Sequence, residues 1–257
     1  MSDRKNQRLG RIADALKGKE ALKLKDVSEL LGVSEMTIRR DIASCDGLFR
    51  YLGGYIVKGQ NFVDNSFYVF DRERESNIQN KRDACVLAAS FIEPKDTIFI
   101  DCGTTMPHLA RRIPNDWRVT VVCFSLNIAN IVCENANITT ILLGGVYQPS
   151  SASFSSTEAL ETLRRIGINK AFLSAGGLDP DHGASCSNFH EVPVKQEAMR
   201  RAVRKYLVAD STKFGKVRPA FFSSLDGFDA VLTDNDVTDD YRERLASDGV
   251  TLMTPEV

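Results

Sequence analysis

Apolar side chains change their spacing along this 257-residue chain, and the change divides it. Near the start, Leu9, Ile12, Ala13 and Leu16 recur at i, i+3, i+4 and i+7, which predicts an amphipathic helix stopping near Gly18. Val27, Leu30 and Leu31 mark a second helix, with Gly32 placed as its left-handed C-terminal residue. Ser34 stands where an N-cap accepts from the N–H of Met36 or Thr37, and Val33 with Ile38 makes a hydrophobic staple around it. At about 100° per residue, Ile38 and Ile42 share the core face of a third helix. Arg40 and Met36 then point away from it, with Thr37, Arg39 and Ser44 on the flanks. LFRYLGGYIV (48–57) comes next, two β-type runs around Gly53-Gly54, and predicts a hairpin or wing carrying Arg50 and Tyr51.

Residues 58–80 show no clean period. They hold a mixed-charge run at 71–75 and the aromatics Phe67, Tyr68 and Phe70, which fits a connection packed partly on the next domain. From Lys81 strand-like and helix-like runs alternate. TIFID (97–101), VTVVCF (119–124), TTILLGG (139–145), KAFLSAGG (170–177), YLVAD (206–210), AVLTD (230–234) and VTLM (250–253) read as strands, and 83–91, 158–166 and 194–205 as helices. Continuous apolar strands between helices predict a mostly parallel sheet covered on both faces, an α/β domain. The expected organisation is a winged helix-turn-helix at 1–57, a connection at 58–80 and an α/β domain at 81–257.

Composition narrows this modestly. Hydrophobic residues at 43% and charged residues at 26% are ordinary for a soluble globular protein. No apolar run approaches the roughly 20 residues of a membrane span, and the start lacks the apolar core of a secretory signal. A cytoplasmic protein with no membrane partner is expected. The six cysteines show no CxxC pair, so reduced buried thiols are expected in place of a zinc site, and no metal or cofactor is called for. Charge is uneven: residues 1–57 carry eleven Lys/Arg against eight Asp/Glu, a net +3 that leaves −4 on the other 200. A basic end on an acidic body suits a module that binds a polyanion.

Two helices joined tightly at Gly32 form a helix-turn-helix, whose second helix can enter the DNA major groove by its N-terminal turns. Arginine there can grip guanine or phosphate; the other reading is a surface helix with two solvated arginines. In the α/β domain, ligands bind outside the carboxyl ends of parallel strands. DCGTTM leaves the first strand with Gly103, Thr104 and Thr105 at a helix start, a place that suits phosphate or is simply a capped turn. FSLN (124–127, with Asn127), LGG (143–145) and SAGG (174–177, with Gly176) offer similar groups. SNFHEVPVK holds Glu191 and Lys195 four apart, which also fits a surface pair, and ADSTKFG holds Asp210, itself a possible cap, and Lys213. Neither GxxxxGK[ST] nor GxGxxG occurs.

SEMTIRRDI followed by R-x-x-GG resembles the DNA-binding signature of the DeoR family of bacterial transcriptional regulators. FIDCGTT, ADSTKFG and the stretch from Glu191 to Lys195 resemble the family's effector domain, of ribose-5-phosphate isomerase-like fold. The resemblance implies operator recognition by Ser34, Thr37, Arg39 and Arg40, with Met36 on the same face and Arg50 and Tyr51 of the wing on the DNA backbone. It implies a phosphate cradle at Gly103, Thr104 and Thr105 helped by Lys195, and sugar contacts from Asp101, Asn127, Glu191 and Lys213 beside Gly176. LGGYIV, CFSLN, EVPVK and DSTKFGKVRPA are similar to members that govern deoxyribonucleoside catabolism, which implies deoxyribose 5-phosphate as inducer. Expected partners are therefore double-stranded operator DNA, a phosphorylated sugar and further copies of the chain. The carboxylates Asp101, Glu191 and Asp210 keep a sugar-phosphate isomerase carrying a DNA-binding module as the alternative; the expectation is a sensor and not an enzyme. A third reading is an architectural DNA-binding protein with an empty second domain.

Overall fold

Ile12, Leu16, Leu24, Val27, Ile38 and Ile56 lie at 0–2% exposure and form the centre of the N-terminal module. Each such side chain contributes roughly 1.5–3 kcal/mol on leaving water. The computed structural model describes residues 2–16, 21–45, 48–52, 54–58 and 76–256. The expectations at Gly18, Gly53, Phe67, Tyr68, Phe70 and the charged run 71–75 lie outside the described residues, as does that for the Arg50 side chain. The chain divides into two units, Met1–Val69 and Phe70–Val257.

The first unit contains α1 (Ser2–Ala15), β1 (Ala21–Lys23), α2 (Leu24–Leu31), α3 (Glu35–Ala43), β2 (Phe49–Leu52) and β3 (Tyr55–Lys58). Its strands pair antiparallel in the order β1-β3-β2, so the wing has a third strand that the apolar pattern did not announce. Gly32 ends α2 at φ +64°, with its N–H donated to Ser28 O. Leu30 is half exposed, its core place taken by Leu24 and Val27. Three basic residues of α1 reach other helices. Arg8 Nε donates to Asp41 at 2.7 Å, Lys5 Nζ to Ser44 O at 2.6 Å and Arg11 Nη2 to Leu30 O at 2.9 Å. Lys5 and Arg11 therefore cap the C-terminal ends of α3 and α2, and part of the positive charge counted in the sequence is structural.

The second unit begins with α4 (Ile78–Ala89), β4 (Thr97–Ile100), α5 (Met106–Ala110), β5 (Val119–Cys123), α6 (Leu126–Val132) and β6 (Ile138–Leu142). It continues through β7 (Val146–Gln148), β8 (Ser153–Ser155), α7 (Thr157–Arg164), β9 (Ile168–Leu173), β10 (Gly177–Asp179), β11 (Gly183–Cys186), α8 (Val192–Arg201) and β12 (Ala202–Val208). It closes with β13 (Ala220–Ser223), β14 (Ala230–Leu232), α9 (Asp239–Ser247) and β15 (Leu252–Met253). Seven strands form one parallel sheet in the order β15-β14-β12-β9-β4-β5-β6. All seven runs read as strands from the sequence are in it. Alternation along β4 sends Ile98 and Ile100 to one core and Phe99 to the other, so both faces are buried. Among the described residues no helix is long and apolar enough to cross a membrane.

Three differences from the sequence reading have physical causes. The first helix starts at Ile78 and not near 83, inside the stretch expected to be a connection, because Asn77 opens it in a left-handed conformation at φ +49°. The helix expected to run through Lys205 stops at Arg201: Ala202 turns extended (φ −84°, ψ 138°) and pairs with Ile168 of β9. Tertiary pairing overrides local helix propensity there. Two small antiparallel sheets, β7-β8 and β10-β11-β13, also lie beyond the pattern, since strands of three or four residues leave too little periodicity to see.

Candidate nucleic-acid interface and effector site

Ser34 caps α3 as expected: its Oγ accepts from Thr37 N at 3.3 Å and lies 2.9 Å from Thr37 Oγ1. Ile38 and Ile42 are buried on the inner face. Met36, 66% exposed, and Arg40 look outward. Among the described residues the Arg40 guanidinium has no hydrogen bond or ion pair.

Arg39 is held differently. Its Nη2 donates to the Tyr51 hydroxyl at 3.0 Å, its guanidinium carbon lies 4.6 Å from the centre of the Tyr51 ring, and Glu35 is 3.6 Å away. Helix and wing thus share one cationic element, with the charge over an aromatic face. The two adjacent arginines have different freedom: one is clasped and its neighbour is loose.

In the second unit, Asp101 follows β4 directly and is fully buried. Its Oδ1 accepts from Cys102 N at 2.8 Å; its Oδ2 accepts from Ser174 N at 2.7 Å, from Ser174 Oγ at 3.0 Å and from Lys195 Nζ. Lys195, 1% exposed, also donates to Ser174 O at 3.1 Å, lies 3.8 Å from Glu191 and sits 5.0 Å from the centre of the Phe222 ring. Burial pulls the pKa of Lys195 down, but Asp101, then Cys102 and Glu191, together push harder the other way, and it is raised. The ammonium stays charged and is not a candidate base. Burial pushes the Cys186 thiol up to about 12 despite nearby Lys195, and raises Cys102 as well, so neither is a thiolate nucleophile at neutral pH.

The GTT segment touches this cluster through Ser174. Gly103 has φ +98°, and a Cβ on it would come within 3.1 Å of Ser174 Oγ, which donates to Cys102 O at 2.8 Å. Thr105 is buried at the start of α5. Among the described residues, the backbone N–H groups of Gly103, Thr104 and Thr105 have no hydrogen-bond acceptor. Consecutive unpaired N–H groups at the carboxyl end of a parallel strand make a cradle for an anion.

Asp101, Gly103, Glu191 and Lys195 are therefore brought into one cluster. Gly176 is next to it, its N–H on Ser185 O at 2.8 Å and its carbonyl accepting from Arg218 Nε at 3.1 Å. Asn127 is half-buried on the first turn of α6, and Lys213 is buried in the turn after β12, which Asp210 caps through Thr212 N at 3.2 Å. Ser150, Ser151 and Ser153, which the sequence reading passed over, help tie these groups to residues of the SNFHEVPVK stretch. Asn188 Nδ2 donates to Glu191 Oε1 at 2.6 Å, and Ser150 Oγ donates to Asn188 Oδ1 at 3.3 Å. Ser151 Oγ lies 3.3 Å from His190 Nε2 and 2.7 Å from Ser153 Oγ. Burial lowers the pKa of His190, against a smaller upward push from Glu191, which keeps the imidazole neutral. The serine-rich run PSSAS (149–153) is the signal in the sequence for the three serines.

Residues 8–60 match the model of the DeoR-like helix-turn-helix domain, and residues 76–235 match that of the DeoR C terminal sensor domain. The deoxyribose operon repressor of Escherichia coli (strain K12) is 39% identical over 253 residues, 98% of this chain and 100% of that protein. This whole-chain match bears out the expected likeness to a deoxyribose-operon repressor. The lactose phosphotransferase system repressor of Lactococcus lactis subsp. lactis is 30% identical over 248 residues, 94% of this chain and 96% of that one. Among solved structures, ribose 5-phosphate isomerase A from Methanocaldococcus jannaschii superimposes over 54% of this chain and 55% of its own, with 13% identity and a TM-score of 0.42, too loose a likeness to bear on chemistry. From its N-terminal module through its sensor domain, the chain belongs to the DeoR family.

Proposed function

We propose that this chain is a transcriptional repressor of a deoxyribonucleoside catabolic operon, released from its operator by deoxyribose 5-phosphate. The observation that carries the reading is the outer face of α3, where Arg40 stands exposed, with no side-chain partner among the described residues, beside Met36 and the Ser34–Thr37 cap. Such a face, next to a wing, is fit to enter a major groove, with arginine as the guanine reader. Arg40 and Thr37 would meet base edges, Ser34 and the Arg39–Tyr51 pair the phosphates, and Arg50 the backbone along the wing. One such module reads a short half-site, so a homo-oligomer on repeated half-sites is part of the proposal.

The effector phosphate is assigned to the N–H groups of Gly103, Thr104 and Thr105. Asp101, Lys195 and Ser174 hold that loop in place, and Glu191, Asn127 and Lys213 are assigned to the sugar. The name of the Escherichia coli relative supports a deoxyribose derivative. Because Lys195 stays protonated and Asp101 is saturated with donors, the site is read as one that senses the sugar phosphate without transforming it. A fluorescence titration of operator DNA against pentose, deoxypentose and hexose phosphates tests the function. Incubation with the same compounds, then product analysis, tests for turnover.

A further inference from the structure

The turn that carries Lys213 is fastened to the start of α4, the first described helix after the DNA-binding module. Asn77, the residue before that helix, does not use its side chain to cap it. Its Nδ2 reaches across to Thr212 Oγ1 at 3.2 Å, and Thr212 in turn donates to Asp210 at the end of β12. One helical turn on, Asn80 Nδ2 donates to Asp236 Oδ2 at 2.7 Å and to Asp234 Oδ1 at 2.9 Å, with Ser211 Oγ at 3.4 Å. Asp234 holds the same turn from its other oxygen, accepting Ser211 N at 2.7 Å. Two asparagines, one just before α4 and one in its first turn, therefore grip the turns that follow two neighbouring strands.

We propose that Asn77 and Asn80 transmit effector occupancy from the turn at 211–213 to the start of α4, and so toward the DNA-binding module. The inference rests on the repressor reading above. A sugar phosphate that engages Lys213 must either leave this turn where it is or move it. If the turn moves, the amide–hydroxyl and amide–carboxylate bonds move α4 with it or break. Both are responses of a two-state element that ligand can bias. Without the two carboxamides the turn can adjust alone, and the signal ends there. Among the described residues, Gln79 on the same helical turn bonds only Asp83, at 2.8 Å within α4, and provides an internal control.

The test uses the full chain. Operator affinity is measured by fluorescence anisotropy with and without saturating deoxyribose 5-phosphate, and sugar-phosphate affinity by calorimetry, for the parent, Asn80→Ala, Asn77→Gly and Gln79→Ala. Glycine suits the left-handed backbone at 77, so that variant removes the side chain without strain. Couplings of this kind are commonly about 5- to 150-fold. The expected result is that both asparagine variants bind sugar phosphate and free operator within about twofold of the parent, while the ratio of operator affinities falls at least about fivefold toward unity. Gln79→Ala should keep the parental ratio. An unchanged ratio in the asparagine variants overturns the proposal, as does loss of sugar-phosphate binding itself, which would make these residues ligand contacts. Should Asn80→Ala fail to fold, Asn77→Gly decides alone. A parent with no ratio to lose would overturn the repressor reading, an outcome visible before any variant is measured.

Discussion

The guanidinium of Arg39 on the recognition helix is clasped by Tyr51 on the wing, 3.0 Å from its hydroxyl and 4.6 Å from its ring centre. Operator affinity should therefore show the two residues acting as one unit. The hydrogen bond to the hydroxyl contributes about 0.5–1.5 kcal/mol. Tyr51→Phe is expected to weaken operator binding about threefold, while in the Arg39→Ala background it should change almost nothing. Full additivity in that double-mutant cycle, read by anisotropy, would mean that Tyr51 meets the phosphate on its own account.

Arg40 is the loose neighbour. Arg40→Ala should cost about 1–3 kcal/mol, roughly 5- to 150-fold, against operator DNA and far less against random duplex. Binding of deoxyribose 5-phosphate should be untouched, because that site lies in the other unit. A loss equal on both DNAs would assign Arg40 to phosphate and not to a base.

Lys195 and Asp101 form a buried ion pair, and removing one member leaves the other charge uncompensated. Lys195→Met should lower the unfolding free energy by about 3–5 kcal/mol, and adding Asp101→Asn should recover part of it. Thermal melts of the two variants and the parent decide this. Because the pKa of Lys195 is raised above its usual 10.5, the stability from this pair is complete below pH 10.5. It is lost only as the pH climbs through the folded-state value.

Acid should act through two histidines. Burial lowers the pKa of His108, with help from Arg111, and that of His190, whose neighbour Glu191 pushes weakly the other way. A depressed histidine favours the folded state above its unfolded pKa of 6.5, and that contribution fades as the pH falls below it. The melting temperature should drop between pH 7.5 and pH 5.5. The double variant His108→Asn/His190→Asn should show a smaller drop; an equal one would place the acid sensitivity elsewhere.

Much of the architecture was legible because the relevant signals are local. Seven apolar runs became the seven strands of the parallel sheet, and Gly32 and Ser34 announced the ends of α2 and α3 by backbone and capping chemistry alone. The pattern was blind where pairing partners are distant. Ala202 and its neighbours look helical and become strand because β9 lies alongside. Helices of five and seven residues, α5 and α6, leave no readable period. In the candidate site the residue types were visible but their relations were not. Glu191 and Lys195 looked like a possible surface pair, and only folding brings Asp101 and Ser174 against Lys195 and buries all the charge. Asn77 and Asn80 stood in what read as a polar connection, with Thr212 and Asp234 more than 130 residues away in the chain.

One experiment bears on repression and sensing together: titrating operator DNA with the purified chain in the absence and presence of deoxyribose 5-phosphate, with ribose 5-phosphate and glucose 6-phosphate alongside. A sugar-phosphate-sensing repressor gives tight, salt-dependent binding to the operator that deoxyribose 5-phosphate relieves and the other two relieve poorly. Operator binding indifferent to every sugar phosphate, or no preference for operator over random duplex, would contradict it.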